Sequence, residues 1–183
     1  ELKAFYRFMD SEKVTHPNLI LPHTEKTVRD LSKHGIILSV QDSTTLTFKR
    51  NYEIEGLYDV GNIPGLVVHN TISVIPHKNY GMIDGLLHQI INKRIPKEQK
   101  AKGDTEIKLW TESIKAVGNP SKGNTIIDVM DRGADASEVM HCSLDTGHDF
   151  ILRAKYDRYV EDENYRYLFQ YAESLPVMGQ KTL

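Results

Sequence analysis

Two short apolar stretches, residues 36–42 (Ile-Ile-Leu-Ser-Val-Gln-Asp) and 125–131 (Thr-Ile-Ile-Asp-Val-Met-Asp), each run into an aspartate. Their β-branched residues favour strands. A carboxylate at the tip of a buried strand is held by rigid backbone and faces a cleft. Asp42 and Asp131 are far apart in the chain, so only a sheet that makes the two strands neighbours can set them side by side. In that position they can share a divalent cation.

The rest of the chain supplies such a sheet. Residues 1–35 read as a polar helical stretch, with Thr24 suited to an N-cap and Gly35 to a C-terminal stop, while Pro17 and Pro22 divide what precedes into short segments. Asp42-Ser43 separates the first strand from a second over 44–48, and a loop with Gly56, Gly61, Pro64 and Gly65 leads to a third over 66–75, stopped by Pro76. Residues 93–103 are charged and contain Pro96, the mark of a solvated loop. Asp104 or Thr105 then caps a helix whose apolar stripe is Ile107, Trp110, Ile114 and Val117, ended by Gly118 and Pro120. After the second aspartate strand, Asp135 to Glu138 resembles a capping box opening a helix to about Leu144, with Gly147 as its stop. Residues 150–155 form a last strand. The order β-β-β-α-β-α-β predicts an α/β fold, a mixed five-stranded sheet with helices on its faces, in which strands one and four are neighbours.

Composition narrows the function. The chain has 183 residues, 39% hydrophobic and 26% charged, which suits one globular domain with a real core rather than disorder. No apolar run approaches the ~20 residues of a membrane span, and the first residues lack a signal-peptide core. The single cysteine, Cys142, excludes an internal disulfide and fits a reducing compartment, so a cytoplasmic bacterial protein is expected. The net charge of -2, from 23 basic and 25 acidic residues, weighs against a broad nucleic-acid face. The chain starts without Met and stops at Lys181-Thr182-Leu183, as a piece cut from something longer would.

Each candidate residue has an ordinary alternative. A strand-end Asp is more often a turn former or a helix cap than a metal ligand. Asp135 sits where an N-cap belongs, and Asp128 lies within an apolar strand, where it can point outward at an edge. The eight histidines have no metal-site spacing, and His88 alone is kept as a candidate near the site. Residues 118–125 (Gly-Asn-Pro-Ser-Lys-Gly-Asn-Thr) have Asn124 where a phosphate loop has its lysine, and they precede a strand rather than open a helix. Arg153, Lys155 and Arg158 alternate along and beyond the last strand, either as protective edge charges or as a phosphate-contacting row.

A family resemblance links these pieces. Ser39 to Leu46 (Ser-Val-Gln-Asp-Ser-Thr-Thr-Leu) and Met130 to Asp135 (Met-Asp-Arg-Gly-Ala-Asp) are similar to the two aspartate motifs of bacterial insertion-sequence transposases of the DDE type, the family that includes the kanamycin-transposon (Tn-five) enzyme. Ala4-Phe5-Tyr6-Arg7-Phe8 with Val14-Thr15, Val68-His69-Asn70-Thr71, Gly85-Leu86-Leu87-His88-Gln89 and residues 150–155 resemble further stretches of that family, in the same order. Residues 167–168 and 175–179 look like the start of its β-rich insertion. The resemblance thus divides the chain into a helical lead-in over 1–35, an incomplete RNase H-like catalytic core over 36–158 and the start of an insertion over 159–183. Gly133 stands where the family's D-R-E-A-D run has Glu. The family's third acid, a Glu beyond the insertion, has no counterpart before Leu183.

The resemblance implies an RNase H-like fold that binds two Mg²⁺ or Mn²⁺ ions, about 3.5–4 Å apart, for in-line displacement at a phosphate. Asp42 and Asp131 would be catalytic metal ligands, and Arg132, Arg153, Lys155 and Arg158 DNA-backbone contacts. The implied partners are transposon ends and target DNA, bound by a homodimer of the full-length protein in the bacterial nucleoid. A metal-dependent nuclease of the same fold, or a non-catalytic module whose aspartates are caps, are the competing readings. With two acids of three, this chain alone is expected to lack strand-transfer activity. Mg²⁺-dependent nicking of plasmid DNA that disappears in Asp42→Ala would contradict that expectation.

Overall fold

The computed structural model describes residues 2–48, 57–60, 63–78, 80–92 and 106–179. The expected loop over 93–103, the Asp104 or Thr105 cap and the glycines Gly56 and Gly61 lie outside them. Two helices, α1 (Leu2–Met9) and α2 (His16–Asp30), precede β1 (Ile36–Thr47), β2 (Tyr58–Val60), β3 (Ile63–Pro76) and β4 (Gly81–Asn92). Then come α3 (Ile107–Val117), β5 (Thr125–Met130), α4 (Ser137–Asp145), β6 (Asp149–Leu152) and α5 (Leu168–Ser174).

β1 pairs antiparallel with β3 and parallel with β5, β3 pairs antiparallel with β4, and β5 pairs parallel with β6. The three-residue β2 extends the β4 edge along the start of β3. The sheet is therefore mixed and five strands wide, in the order β4-β3-β1-β5-β6, which is the strand order of an RNase H-like fold. Strands one and four of the expected series, β1 and β5, are neighbours.

The series departs from expectation in its second and third strands. Asp42-Ser43 does not break a strand, because β3 is long enough to pair with β1 from Leu38↔Val74 through Asp42↔Asn70 to Thr47↔Gly65, and its hydrogen bonds carry the backbone straight on. The third strand is instead β4, which the sequence does not announce. Its pairing with β3 skips Leu87 between His88 and Leu86, and Asp84 between Gly85 and Ile83. Two bulges in one strand shift the side-chain alternation twice and erase the period of two.

Alternation sorts the central strands into two faces. Ile37, Ser39 and Gln41 of β1, with Ile126, Asp128 and Met130 of β5, are buried against the helices. One apolar cluster joins Trp110, Ile114, Met130, Ala134, Val139 and Cys142 beneath α3 and α4, and a second joins Leu31, Ile37, Leu87, Val117 and Ile126. Leu38, Val40 and Asp42 point to the opposite face. Among the described residues no helix packs there, and Ile36, Ile83 and Ile151 are exposed on it. No helix of the described residues is long and apolar enough to cross a membrane.

α2 is a single helix where Pro17 and Pro22 were expected to divide the chain into short segments. Thr15, not Thr24, is its N-cap and accepts the Asn18 N–H at 3.4 Å. Pro17 falls in the first turn, where a missing N–H costs nothing. Pro22 is inside the helix, which packing on β4 holds together: His23 Nε2 accepts the Leu86 N–H at 2.9 Å, and Thr27 is buried against Gly85. A Cβ on Gly85 would collide with Thr27 Oγ1 and lie 3.1 Å from Thr27 Cγ2 and 3.2 Å from His23 Nε2. Gly85→Ala should therefore destabilise the chain by about 1–3 kcal/mol, the usual range for overpacking. Urea unfolding should show much of this loss recovered in the Gly85→Ala/Thr27→Ala double variant.

Candidate active site at the ends of the parallel strands

The β1–β5 ladder runs from Ile36↔Thr125 to Val40↔Val129. Two residues further on each strand stand Asp42 and Asp131, and Asp131 keeps an extended backbone (φ -82, ψ -176). Each aspartate therefore follows the last pair of the ladder, Val40↔Val129, by the same two residues. Both side chains are exposed, and strand alternation puts Asp42 on the face opposite the helices. Asp42 is thus a mid-strand residue toward β3 and an end residue only toward β5, where the ladder stops.

After Asp131 the chain tightens into a single 3₁₀ turn, Arg132–Ala134. Asp131 Oδ1 caps it by accepting the Gly133 N–H at 2.7 Å. A Cβ on residue 133 would lie 2.9 Å from that oxygen and 3.4 Å from Trp110 Cζ2. Glycine here lets the carboxylate fold back on the turn.

Asp135 is not a helix cap. Ala136 takes the N-cap position of α4 without a side-chain bond. Asp135 is buried, and its Oδ2 accepts the backbone N–H groups of Lys155 at 2.6 Å and Tyr156 at 3.0 Å. Its Oδ1 pairs with Arg158 Nη1, and Arg158 Nη2 donates to the Asp135 carbonyl at 2.9 Å. This capture explains why β6 ends at Leu152 rather than at residue 155: the following amides turn toward Asp135. It also engages the Arg158 guanidinium within the protein. Arg132, Arg153 and Lys155 remain exposed at the same end of the sheet as Asp131, with Arg153 N–H donating to Met130 O at 3.3 Å. Beyond them the chain doubles back through Leu168 N–H to Arg158 O, at 2.8 Å, and Val160 N–H to Arg166 O, at 3.1 Å, before α5.

Asp128, expected to point outward, is fully buried beneath the site. Its Oδ2 accepts from Ser143 Oγ at 2.8 Å and His148 Nδ1 at 2.9 Å, and its Oδ1 accepts from Gln41 Nε2 at 3.4 Å. His148 Nε2 faces the Gly118 carbonyl at 2.8 Å and must donate to it. Three donors on one carboxylate and acceptors at both ring nitrogens make this an imidazolium–carboxylate pair. The network continues toward the surface: Gln41 Oε1 accepts from His69 Nε2 at 3.3 Å, which leaves His69 Nδ1 to accept from Ser43 Oγ at 2.8 Å. His69 also meets the Trp110 ring edge on, 4.6 Å between centroids. His88 belongs to the same layer, its Nδ1 3.2 Å from Ser113 Oγ, and lies on the helix side away from Asp42.

Sequence reasoning missed Gln41, His69, Ser143 and His148. Residues 125–131 are apolar on both faces, so alternation could not tell which way Asp128 points, and its partners come from three other elements. No protein-family profile matches the chain, and no curated protein matches its sequence. Among the described residues no group of three or more His, Cys, Asp or Glu side chains is placed to hold a metal ion.

The histidines set the pH response. Burial alone would lower His148, but the Asp128 carboxylate and the Gly118 carbonyl outweigh it and raise its pKa above 6.5. Its stabilisation is full below that unfolded value and is lost as pH rises through the folded one. Burial, then the nearby His88, pushes His69 down to about 4, and burial also lowers His88. Their stabilisation is present above 6.5 and is lost as pH falls. Burial works against the Asp135 carboxylate, yet Arg158 and the two amides hold it below 3.8, so its contribution fails last, in stronger acid. Stability should therefore peak near pH 6.5. Urea midpoints measured across the pH range should lose their alkaline decline in His148→Gln and keep it in His69→Gln. Asp128→Ala, which leaves a buried imidazolium unpaired, should cost about 3–5 kcal/mol.

Proposed function

We propose that this chain is the catalytic core of a DNA transposase of the DDE type, which cuts and joins DNA strands at a divalent-metal site. The observation that supports the reading is the parallel β1–β5 register, whose last pair, Val40↔Val129, is followed two residues later on each strand by Asp42 and Asp131. The donor set fits a hard cation: both residues are exposed carboxylates, and Mg²⁺ typically takes one or two of these and completes its shell with water and substrate phosphates. When bound, such ions activate the attacking oxygen and neutralise charge on the leaving one.

The chain's own residues do the rest. Asp42 is held by rigid strand on one side and Asp131 by its capped turn, so the two carboxylates are offered without a large ordering cost. Arg132, Arg153 and Lys155 form the basic rim to which DNA phosphates would bind, orienting the strand across the acidic pair. Arg158 acts from behind the rim, through Asp135.

This reading predicts that metal and DNA bind cooperatively, because substrate phosphates complete the metal's coordination. A short DNA duplex should tighten Mn²⁺ binding several-fold in calorimetric titrations, with Mn²⁺ tightening DNA binding equally, as linkage requires. Asp42→Asn and Asp131→Asn should abolish that coupling. Metal and DNA affinities that are independent of each other would contradict the proposal.

A further inference from the structure

We infer that Asp135 is a positioning residue that fixes the basic rim to the turn carrying Asp131, an assignment that rests on the reading of the site as a DNA-cutting centre. Asp135 lies at the end of the 3₁₀ turn that begins at Asp131, so the two carboxylates belong to one short rigid unit. From there it reaches across to the strap that follows β6, taking the Lys155 and Tyr156 amides at 2.6 and 3.0 Å and pairing with Arg158. With Arg153 N–H on the Met130 carbonyl, residues 153–158 are tied at four points to the strand and turn that present Asp131.

The chemistry of the clamp suits positioning. A carboxylate that accepts two backbone amides fixes the path of the strap whatever its side chains are, and the Arg158 fork adds direction. Lys155, whose amide is held, carries its ammonium 5.1 Å from the centre of the exposed Tyr156 ring, so its stem is confined while its charge stays in solvent. Among the described residues no other hydrogen bond holds the Lys155 and Tyr156 amides, since β6 has already ended at Leu152. Asp135 thus sets the distance between a phosphate-binding cation and the acidic pair without touching substrate itself.

The test separates positioning from plain stability. Amide hydrogen exchange of Asp135→Asn, with Arg158→Ala as a milder second variant, should show Lys155 and Tyr156 losing protection roughly tenfold or more while the β5 amides keep theirs. DNA binding across a salt series then reads the cation. Lys155→Ala should reduce the slope of log K against log salt by about 0.9, one phosphate contact, in the wild-type background. It should change nothing in the Asp135→Asn background. An equal slope change in both backgrounds would overturn the inference, as would unchanged exchange at residues 155 and 156. Loss of protection in a chain that binds no DNA at all would sink the transposase reading and with it the positioning role, leaving Asp135 a structural clamp.

Discussion

The parallel ladder between β1 and β5 is the contact on which the rest depends. Parallel pairing joins segments far apart in sequence, so it must be specified by something other than a local turn. Here the specification lies beneath the sheet. Gln41 of β1 donates to Asp128 of β5, and Asp128 is locked in turn by Ser143 of α4 and His148 at the end of the α4–β6 connection. A slip of one residue would turn Asp128 to the opposite face and strand the His148 charge in the core, an error too costly to populate. The same register that satisfies the buried carboxylate ends two residues short of each exposed one.

Burial and exposure thus divide the work among four aspartates of similar sequence setting. Asp128 and Asp135 are interior and fully engaged, one beneath the strands and one behind the strap. Asp42 and Asp131 are on the surface, and among the described residues the Gly133 amide is the bonded neighbour of the second. A carboxylate bound by several donors is a structural element, whereas one left open on rigid backbone is available for chemistry. That contrast, more than the motif around each residue, separates the candidate site from its scaffold.

Much of this was legible in the sequence. The helix over 107–117, the strand over 125–130 and the stop at Gly147 follow from periodicity and from glycines that adopt positive φ, 77° at Gly118 and 78° at Gly147. The neighbouring of the two aspartate strands followed from element order alone. What was not legible depended on tertiary partners. β1 continued through Asp42 because β3 was there to pair with it, and β4 was hidden by its two bulges. Asp135 looked like a cap because its real partners lie twenty residues downstream and beyond. For the same reason the sequence offered Arg158 as an edge charge or a phosphate contact and not as the partner of Asp135. Local chemistry describes what a side chain can do, and only the fold decides which option it takes.

The central claim is that Asp42 and Asp131 share a cation. Anomalous diffraction from crystals of this chain soaked in Mn²⁺ tests it most directly. The account predicts a peak within coordinating distance of both carboxylates, about 2.0–2.3 Å, and its loss in Asp131→Asn. A structure with the two carboxylates more than about 8 Å apart, too far for shared ions, or with manganese bound only elsewhere, would contradict it.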